Sequence, residues 1–270
     1  MATPQNTQCR LCNSQLVPRF SAKILRKFDI HYFGCSQCES LQTETPYWLD
    51  EAYAETRFNL DVGAVQRNLD NFAFVHAFSR LFNVQTAIDF GARDGLLCRF
   101  LRDHGIDCYA YDKYATPMYA LDFAQWPGGR PGMLTAFEVF EHLPNPASDL
   151  DELFGYDPDY MLVSTEIYAG QGADWWYLSR ESGQHVFFYG PNAIRMIAQK
   201  YNYGVTQIGG FLLFFKPAMP FVQERIIAAQ HALTGWIFQA IKSYTFLMPT
   251  EGVDRDFKAV VAKAALMPPA

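Results

Sequence analysis

The sequence predicts an α/β fold in which a mostly parallel sheet carries helices on both faces. Between residues 60 and 217, short apolar runs typical of buried strands alternate with stretches whose apolar residues recur every three or four positions. Two closely spaced cysteine pairs precede this region, and only helical periodicity follows it. We therefore expect three parts: a small cysteine-bearing ribbon over 1–46, the α/β domain over 47–217 and a helical C-terminal extension over 218–270.

The elements of the α/β region are expected in a regular order. Apolar positions from Val65 to Phe82 are spaced by three or four residues, which predicts a helix from about Val62 to Phe82. A glycine typically follows the end of a helix, and Gly105 ends the next one. The remaining expected elements are strand Thr86–Phe90, helix Leu96–His104, strand Asp107–Asp112, a short strand Met118–Leu121, strand Met133–Phe137, a helix after Pro146, strand Tyr160–Ser164, helix Pro191–Tyr201, a closing antiparallel pair Val205–Ile208 and Phe211–Phe215, and helices Met219–Tyr244 and Asp254–Ala265.

Composition excludes several classes of protein. Half of the residues are hydrophobic and 19% are charged, which excludes disorder for most of the chain. With 28 acidic and 22 basic residues, the net charge of −6 disfavours a nucleic-acid partner bound through a broad basic face. The densest apolar run, Phe211–Phe215, is far shorter than the roughly 20 residues that span a bilayer. Residues Met1–Gln8 lack the apolar core of a signal peptide, so we expect a cytoplasmic protein without membrane contact.

Four of the six cysteines have the spacing of metal ligands. They form two C-x-x-C pairs separated by 22 residues, with the candidate hairpin strands Leu16–Phe20 and Ile30–Gly34 between them. Two residues between cysteines let both sulfurs reach one ion from a tight turn, and two such turns complete a tetrahedron of thiolates. Four thiolates leave no position open for water, so we expect a structural Zn²⁺. Its predicted ligands are Cys9, Cys12, Cys35 and Cys38.

Other interpretations of the cysteines stay open at this stage. The two pairs can be unrelated, or one can be a redox dithiol, although that motif normally begins a helix in a βαβ unit. His31, near the second pair, can compete as a ligand. Cys98 and Cys108 fall in the expected α/β core and are interpreted as small buried hydrophobic residues.

The strand-turn-helix unit at Asp89–Gly95 has the pattern of a nucleotide-binding loop. A strand that ends in a glycine lets a ligand approach the amides at the following helix N-terminus. Asp112 closes the next strand, 23 residues after Asp89, where a carboxylate can accept hydrogen bonds from ribose hydroxyls. Glycine occurs only at Gly91 and Gly95, and the G-x-G-x-x-G pattern that holds a pyrophosphate is absent. The pattern therefore favours S-adenosylmethionine, which has a ribose but no pyrophosphate.

Several motifs together resemble the class I S-adenosylmethionine-dependent methyltransferases, and within them a bacterial branch with an N-terminal four-cysteine zinc site. The resemblance covers about residues 9 to 216, and EVFEHL is its most specific part. It implies a Rossmann-like methyltransferase sheet, mostly parallel with an antiparallel last strand. Members of this broad group often methylate free or nucleotide-linked sugars. The motifs are AIDFGARDG at 87–95, YDKY at 111–114, AFEVFEHLPNP at 136–146 and DWWYLSRESGQHVFFY at 174–189.

The resemblance also implies a set of cofactor contacts. The superfamily usually has glycine where Arg93 stands, and this side chain either crowds the loop or reaches the cofactor carboxylate. The implied contacts are Asp89, Gly91, Arg93 and Gly95 at the methionine end, Asp112 at the ribose, Lys113 beside the adenine, Asp122 or Phe123 in the adenine pocket, and Phe137 and Glu138 under the methionine moiety.

Methyl transfer requires an acceptor held in line with the sulfonium, and often a base. His185 is the leading candidate base, because it lies in the irregular segment that covers the ligand crevice in this fold. A role limited to substrate binding and a structural role stay open for His185. His142 and Glu141 are the other catalytic candidates, although His142 is equally suited to capping the turn after its strand. The residues expected to bind the acceptor are Trp175, Trp176, Tyr177, Gln184 and Tyr189.

These observations favour methyl transfer to a small, sugar-like acceptor. An RNA or protein methyltransferase guided by the ribbon is a second hypothesis, although no aromatic ladder accompanies the basic residues near the cysteines. A third is a cofactor-binding module that docks a partner without catalysis. The apolar C-terminal helix leaves a homodimer open, and the sequence does not identify the acceptor.

Overall fold

A computed structural model describes residues 8–53 and 63–265 of the chain. Its main sheet has six strands in the spatial order β5-β4-β6-β7-β10-β9. In this sheet β4, β5, β6 and β7 are parallel, whereas β10 is antiparallel to both β7 and β9. The α/β fold with a mostly parallel, Rossmann-like sheet and an antiparallel closing pair is therefore confirmed. The strands are β4 Thr86–Phe90, β5 Asp107–Tyr111, β6 Met133–Phe137, β7 Tyr160–Ser164, β9 Gly204–Ile208 and β10 Phe211–Phe215.

Helices cover both faces of the main sheet because its central strands, β4, β6 and β7, are buried and apolar on both sides. One core joins the sheet to the buried stripes of α2, α3 and α6, and a second joins its other face to α4 and α5. The helix expected from about Val62 begins at Ala64, and Val62 itself lies outside the described residues. The helix bounds are α2 Ala64–Phe82, α3 Leu96–Asp103, α4 Pro146–Gly155, α5 Pro191–Lys200 and α6 Val222–Ala232.

The strand order reverses between β4 and β6. The chain runs from β4 to its neighbour β5 on one side and then returns to β6 on the other. In open parallel sheets, ligands bind at the carboxyl ends of the strands beside such a reversal. The segments that follow β4 and β6 begin at Gly91 and Glu138, so the sheet brings them to one crevice.

A second sheet of four strands forms around the N-terminal cysteines, in the order β1-β2-β3-β8. Its hairpin, β1 Leu16–Ile24 and β2 Phe28–Cys35, contains both strands expected from the sequence and extends beyond them. β3 Leu41–Thr43 then pairs with β8 Phe187–Phe188, two residues from the segment after β7. The ribbon is thus hydrogen-bonded to the segment that contains His185, a pairing that the sequence does not predict.

Two expected elements differ from the structure. Met118–Leu121 belongs to a 3₁₀ helix, Met118–Phe123, and not to a strand. Its turns close locally, since the Met118 and Ala120 amides donate to the Thr116 and Pro117 carbonyls, while the Tyr119 amide donates to the Asp94 carbonyl. The expected helix Met219–Tyr244 is two helices, α6 and α7 Gly235–Thr245, because Gly235 has a φ of +57° and breaks the run.

The last helix, α8 Glu251–Ala265, packs against α3. Arg102 of α3 is buried and pairs with Asp256 of α8 at 2.7 Å. A Cβ at Gly252 would lie 1.7 Å from the Arg102 carbonyl oxygen, so the two backbones approach as closely as glycine permits. The short helix α1, Leu49–Ala52, links the ribbon to the rest of the chain. No helix in the described ranges is long and apolar enough to cross a membrane.

Candidate active site

The loop after β4 turns sharply at the sheet edge. Gly91 and Gly95 have φ values of +77° and +80°, and Arg93 between them has +50°, in the left-handed region that favours glycine. A Cβ on Gly91 would lie 2.6 Å from the Val139 side chain, so this loop and the segment after β6 pack against each other. Arg93 thus adopts a backbone conformation that glycine ordinarily favours.

Asp112 is fixed by the backbone around it. Its carboxylate accepts hydrogen bonds from the Arg93 amide at 2.8 Å, the Tyr114 amide at 2.7 Å and the Ala115 amide at 2.8 Å. Because a carboxylate has about four lone-pair sites, acceptor capacity remains for a ribose hydroxyl. The neighbouring Lys113 is exposed, with its Nζ 5.5 Å from the centre of the Tyr114 ring.

Asp89 lies inside the sheet and not on the loop surface. It is 4% exposed and accepts a hydrogen bond of 2.9 Å from the Thr135 hydroxyl of β6. Burial raises the pKa of this carboxyl to about 7, while the Thr135 bond opposes the shift. Its role at the methionine end of a cofactor stays a prediction.

The two residues expected in the adenine pocket are on the 3₁₀ helix Met118–Phe123. Asp122 pairs with Lys263 of α8 at 2.6 Å. The Phe123 ring lies under the Arg102 guanidinium, with 3.5 Å between the guanidinium carbon and the ring centre. Both side chains therefore contact α3 or α8, and their role toward adenine stays a prediction.

The end of β6 presents Phe137 and Glu138. The Phe137 ring packs 5.0 Å from that of Phe211 in β10. Glu138 has a φ of +52°, and its carboxylate accepts hydrogen bonds from the Ser164 hydroxyl at 2.7 Å and the Tyr177 hydroxyl at 3.3 Å. The carboxylate of Glu138 thus lies at the crevice, between the ends of β6 and β7.

Glu141, His142 and His185 form a compact cluster beside Glu138. Oε1 of Glu141 lies 4.0 Å from Nε2 of His142 and 4.0 Å from Nε2 of His185. The imidazole rings are 4.8 Å apart and nearly perpendicular. The Val186 amide donates a hydrogen bond of 2.8 Å to the Glu141 carbonyl, which holds His185 next to a residue 44 positions earlier in the chain.

Each histidine of the cluster is anchored through Nδ1. Nδ1 of His185 lies 2.7 Å from the Tyr177 carbonyl, and because a carbonyl only accepts, this nitrogen carries the proton. The Nε2 lone pair of neutral His185 therefore faces Glu141. Nδ1 of His142 is hydrogen-bonded to the Tyr53 hydroxyl at 3.2 Å.

Burial shifts the pKa values of all three groups in this cluster in the direction that disfavours their charged forms. It lowers the pKa of His185 to about 4, so the imidazole is neutral at physiological pH. Burial and the neighbouring His185 lower the pKa of His142, and Arg93 adds to this effect. Burial and the charge of Glu138 raise the pKa of Glu141.

Tyr53 connects this cluster to the Asp112 loop. Its ring stacks on that of Tyr114 with 4.8 Å between centres, while its hydroxyl reaches His142. Tyr114 follows Asp112 by two residues, so one aromatic pair spans from the expected ribose site to the histidines. Tyr53 has no signal in the sequence, because it lies 89 residues before His142 with no motif around it.

The five residues expected to bind the acceptor occupy different environments around the cluster. Trp176 is 73% exposed, whereas Tyr177 and Tyr189 are buried. The Gln184 amide donates to the Ala52 carbonyl at 2.9 Å, and the Tyr189 hydroxyl donates to the Phe140 carbonyl at 3.1 Å. Trp175 is half-buried and packs 5.4 Å from the rings of Tyr177 and Phe188. Of the five, Trp176 is the one with most of its side chain open to a ligand.

The four N-terminal cysteines converge at one point. The sulfurs of Cys9 and Cys38 are 3.6 Å apart, those of Cys12 and Cys35 are 3.5 Å apart, and all four lie within 4.8 Å of one another. Zinc–sulfur bonds of about 2.3 Å in a tetrahedron place the sulfurs roughly 3.8 Å apart, so the donor set fits Zn²⁺. His31 is instead hydrogen-bonded to Ser21.

A comparison with known protein families identifies the family to which this chain belongs. The sequence profile of the family described as "Methyltransferase domain" matches residues 63–208, more than half of the chain. The chain belongs to this methyltransferase-domain family. The matched part of the methyltransferase runs from the start of α2 to the end of β9 and includes the Asp112 loop and the Glu141 cluster. The four cysteines and α6 to α8 lie outside it.

Solved structures with a similar fold are distant. The methyltransferase is 14% identical to magnesium protoporphyrin IX methyltransferase from Synechocystis PCC 6803 with bound SAH, covering 62% of this chain and 92% of that one, with a TM-score of 0.44. It is also 14% identical to an O-methyltransferase family protein from Burkholderia thailandensis, covering 64% of each chain, with a TM-score of 0.44. No curated protein matches the chain. Likenesses this distant do not identify an acceptor.

Proposed function

We propose that this methyltransferase transfers a methyl group from S-adenosylmethionine to a small acceptor, a sugar or a nucleotide-linked sugar. The observation that carries the proposal is the juxtaposition of two sites at the carboxyl edge of the main sheet, one beyond β5 and the other beyond β6 and β7. The backbone-anchored carboxylate of Asp112 suits a ribose, and the neutral His185 suits an acceptor hydroxyl. The Tyr53–Tyr114 stack joins these two sites.

The chemistry of the loops after β4 and β5 supports the binding of S-adenosylmethionine. Bound S-adenosylmethionine supplies an electrophilic methyl group. Asp112 holds acceptor capacity for the ribose hydroxyls, and the turn at Gly91 and Gly95 leads into the N-terminus of α3, where backbone amides can face a ligand. The positive charge of Arg93 lies close enough to His142 to lower its pKa, and it can attract a carboxylate or phosphate in the crevice.

On the acceptor side, His185 is suited to act as a general base. Its Nδ1 proton is engaged by the Tyr177 carbonyl, so Nε2 is the nitrogen able to accept a proton. As the acceptor oxygen bonds to the methyl carbon, the sulfur–carbon bond breaks with its electron pair on sulfur, and the hydroxyl proton moves to Nε2. The cationic imidazolium that results lies beside the carboxyl of Glu141.

A sugar-like acceptor is supported by the surroundings of the cluster. Trp176 offers an exposed aromatic face on which a sugar ring can stack, and Glu138 and Arg93 offer charged groups for its polar substituents. The net charge of −6 disfavours a large polyanion.

The test is a panel of nucleotide-linked sugars incubated with the enzyme and isotopically labelled S-adenosylmethionine, analysed by mass spectrometry. We expect one labelled methyl group on one acceptor class. His185→Ala should lower turnover by roughly 10²- to 10⁴-fold while cofactor affinity measured by calorimetry is unchanged. His231→Ala, at an exposed position of α6, is the matched control and should retain full turnover. Full turnover of His185→Ala at saturating acceptor would contradict the base.

A further inference from the structure

We propose that Glu141, His142 and His185 form a second metal site, which binds a divalent first-row transition-metal ion. Binding of the ion does not depend on the proposed function, whereas its catalytic role rests on it. The site is separate from the four-cysteine cluster and uses nitrogen and oxygen ligands.

The three ligand atoms point to one location. One atom from each residue lies within 4.8 Å of the others, and Oε1 of Glu141 is 4.0 Å from both Nε2 atoms. With bonds of about 2.1 Å, adjacent ligands of one ion lie roughly 3.0 to 3.4 Å apart. A bound ion therefore draws these side chains inward by roughly 0.5 to 1 Å, which side-chain rotation supplies.

The buried carboxyl of Glu141 is poorly satisfied by the groups around it. Its side chain is fully buried, and within the described residues neither oxygen has a partner at full hydrogen-bond geometry. The Tyr177 and Thr165 hydroxyls lie close enough to lower its pKa, but the Tyr177 hydroxyl makes its hydrogen bonds to Glu138 and Thr165. Buried carboxylates are normally fully paired or bound to metal. A cation between the two imidazoles satisfies this one.

The histidines are held as metal ligands are usually held. A metal-binding imidazole typically engages its second nitrogen with a carbonyl or another polar group, which fixes the ring and leaves the first nitrogen for the metal. Nδ1 of His185 bonds to the Tyr177 carbonyl, and Nδ1 of His142 bonds to the Tyr53 hydroxyl. Both Nε2 atoms are consequently oriented toward Glu141.

The donor set determines the class of ion. Two imidazoles with one carboxylate suit manganese, iron, cobalt or zinc, whereas magnesium and calcium prefer oxygen ligands alone. Three protein ligands leave positions open for water or for the acceptor. Glu138, at the edge of the cluster, adds a second carboxylate close enough to raise the pKa of Glu141.

The ion changes the expected chemistry of the acceptor. A lone pair that binds metal cannot also accept a proton, so with the ion present His185 is a ligand and the ion lowers the pKa of the acceptor hydroxyl instead. The hydroxyl proton then leaves to solvent. His185 acts as a general base only in the metal-free protein. Whether methyl transfer requires the ion therefore distinguishes its role as a base from its role as a metal ligand.

The binding test uses Mn²⁺, which thiolates bind weakly. Full-length protein is first saturated with one equivalent of zinc and then titrated with MnCl₂, and free Mn²⁺ is followed by electron paramagnetic resonance. We expect one Mn²⁺ per chain. Because loss of even an outer partner costs about 10- to 100-fold in metal affinity, Glu141→Gln and His142→Asn should each weaken binding at least that much. Glu166→Gln and His231→Asn, both at exposed positions, are the matched controls.

A thermal measurement distinguishes the loss of a metal ligand from misfolding of the variant. Mn²⁺ should raise the melting temperature of the wild type and of both controls, but not that of Glu141→Gln, whose circular dichroism should match the wild type. Less than one Mn²⁺ per chain, or unchanged binding by folded Glu141→Gln, overturns the metal site.

Methyl transfer is then measured with and without Mn²⁺ after chelation. Activity that requires added Mn²⁺, with unchanged cofactor affinity, supports the catalytic role. Full activity without bound metal, abolished by His185→Ala, overturns that role while the proposed function stands. Stoichiometric Mn²⁺ binding without any methylated product supports the metal site while the proposed function fails.

Discussion

Two carboxyl groups at the carboxyl edge of the sheet are almost entirely buried, and their surroundings differ. Asp89 accepts a hydrogen bond from the Thr135 hydroxyl, while the oxygens of Glu141 face two imidazoles. Burial raises the pKa of both, because the ionised carboxylate lacks the hydration that stabilises it in water. Asp89 is therefore a stability determinant, and Glu141, whose carboxyl lies 4.0 Å from two imidazole nitrogens, is suited to a cation.

The raised pKa of Asp89 predicts a pH-dependent stability. Its folded pKa of about 7, against an ordinary 3.8, means that the folded state binds the proton more tightly. Stability from this group is full below pH 3.8 and is lost as pH rises toward 7, by about 4 kcal/mol at 1.36 kcal/mol per unit. Asp89→Asn should remove this loss. Urea unfolding of both proteins from pH 5 to 7.5 measures the difference, and parallel pH profiles would contradict the assignment.

Asp112 predicts a specific loss of cofactor affinity. Its carboxylate holds three loop amides and is expected to hold the ribose, so Asp112→Ala leaves several polar groups without a partner. Calorimetry should show binding of S-adenosylmethionine weakened by about 1 to 3 kcal/mol. Asp254→Ala, at an exposed position of α8, should bind normally. Equal affinities for the two variants would exclude Asp112 from the ribose site.

The sequence predicts the individual residues of the site better than it predicts which of them lie close together in space. Glu141, His142 and His185 each belong to motifs that the sequence shows directly. Their convergence depends on the Val186–Glu141 backbone bond and on Tyr53, which local patterns do not encode. The geometry that makes them a metal site is therefore visible only in the folded chain.

Among the helices and strands, the periodicity of apolar residues predicted the elements whose conformation is fixed by packing in the core. The central strands β4, β6 and β7 were predicted because each is a buried apolar run, and burial on both faces leaves little choice of conformation. The wrong predictions concern segments whose secondary structure is not determined by packing in the core. Met118–Phe123 is closed by local turns, the two residues of β8 are too few for a pattern, and Gly235 interrupts a helical repeat that continues on both sides.

The ribbon is the element whose folding should depend on metal. Cys35→Ser should lose the bound zinc, because four converging thiolates leave no substitute ligand. A loss of about 2 to 3 kcal/mol corresponds to a melting temperature lower by roughly 5 to 10 °C. Elemental analysis and a thermal melt measure both effects. Cys98→Ser is the control, since a serine hydroxyl there can still donate to the Cys108 carbonyl. Retention of one zinc by Cys35→Ser would refute the four-sulfur site.

In the whole molecule, one side chain joins the cysteine cluster to the histidine cluster. Arg10 follows Cys9 and is half-buried, and the partial desolvation of its guanidinium lowers its pKa to about 10. Its guanidinium donates to the Val186 carbonyl at 2.6 Å and to the Pro144 carbonyl at 3.0 Å. Val186 adjoins His185, and Pro144 is two residues after His142. The ribbon is therefore hydrogen-bonded to the segments that contain both histidines, through Arg10 as well as through the β3–β8 pairing.

This arrangement predicts that the ribbon controls the acceptor site without controlling cofactor binding. Arg10→Met keeps the length of the side chain but removes its bonds to Val186 and Pro144. Zinc should remain at one per chain, and affinity for S-adenosylmethionine should be unchanged, because the Asp112 loop is held by its own amides. Small displacements of reacting groups cost up to about 10²-fold, so turnover should fall by roughly 10- to 100-fold. Arg19→Met, at an exposed position of β1, should retain full turnover. If Arg10→Met also retains it, His142 and His185 are held by their own segments and the ribbon only stabilises the fold.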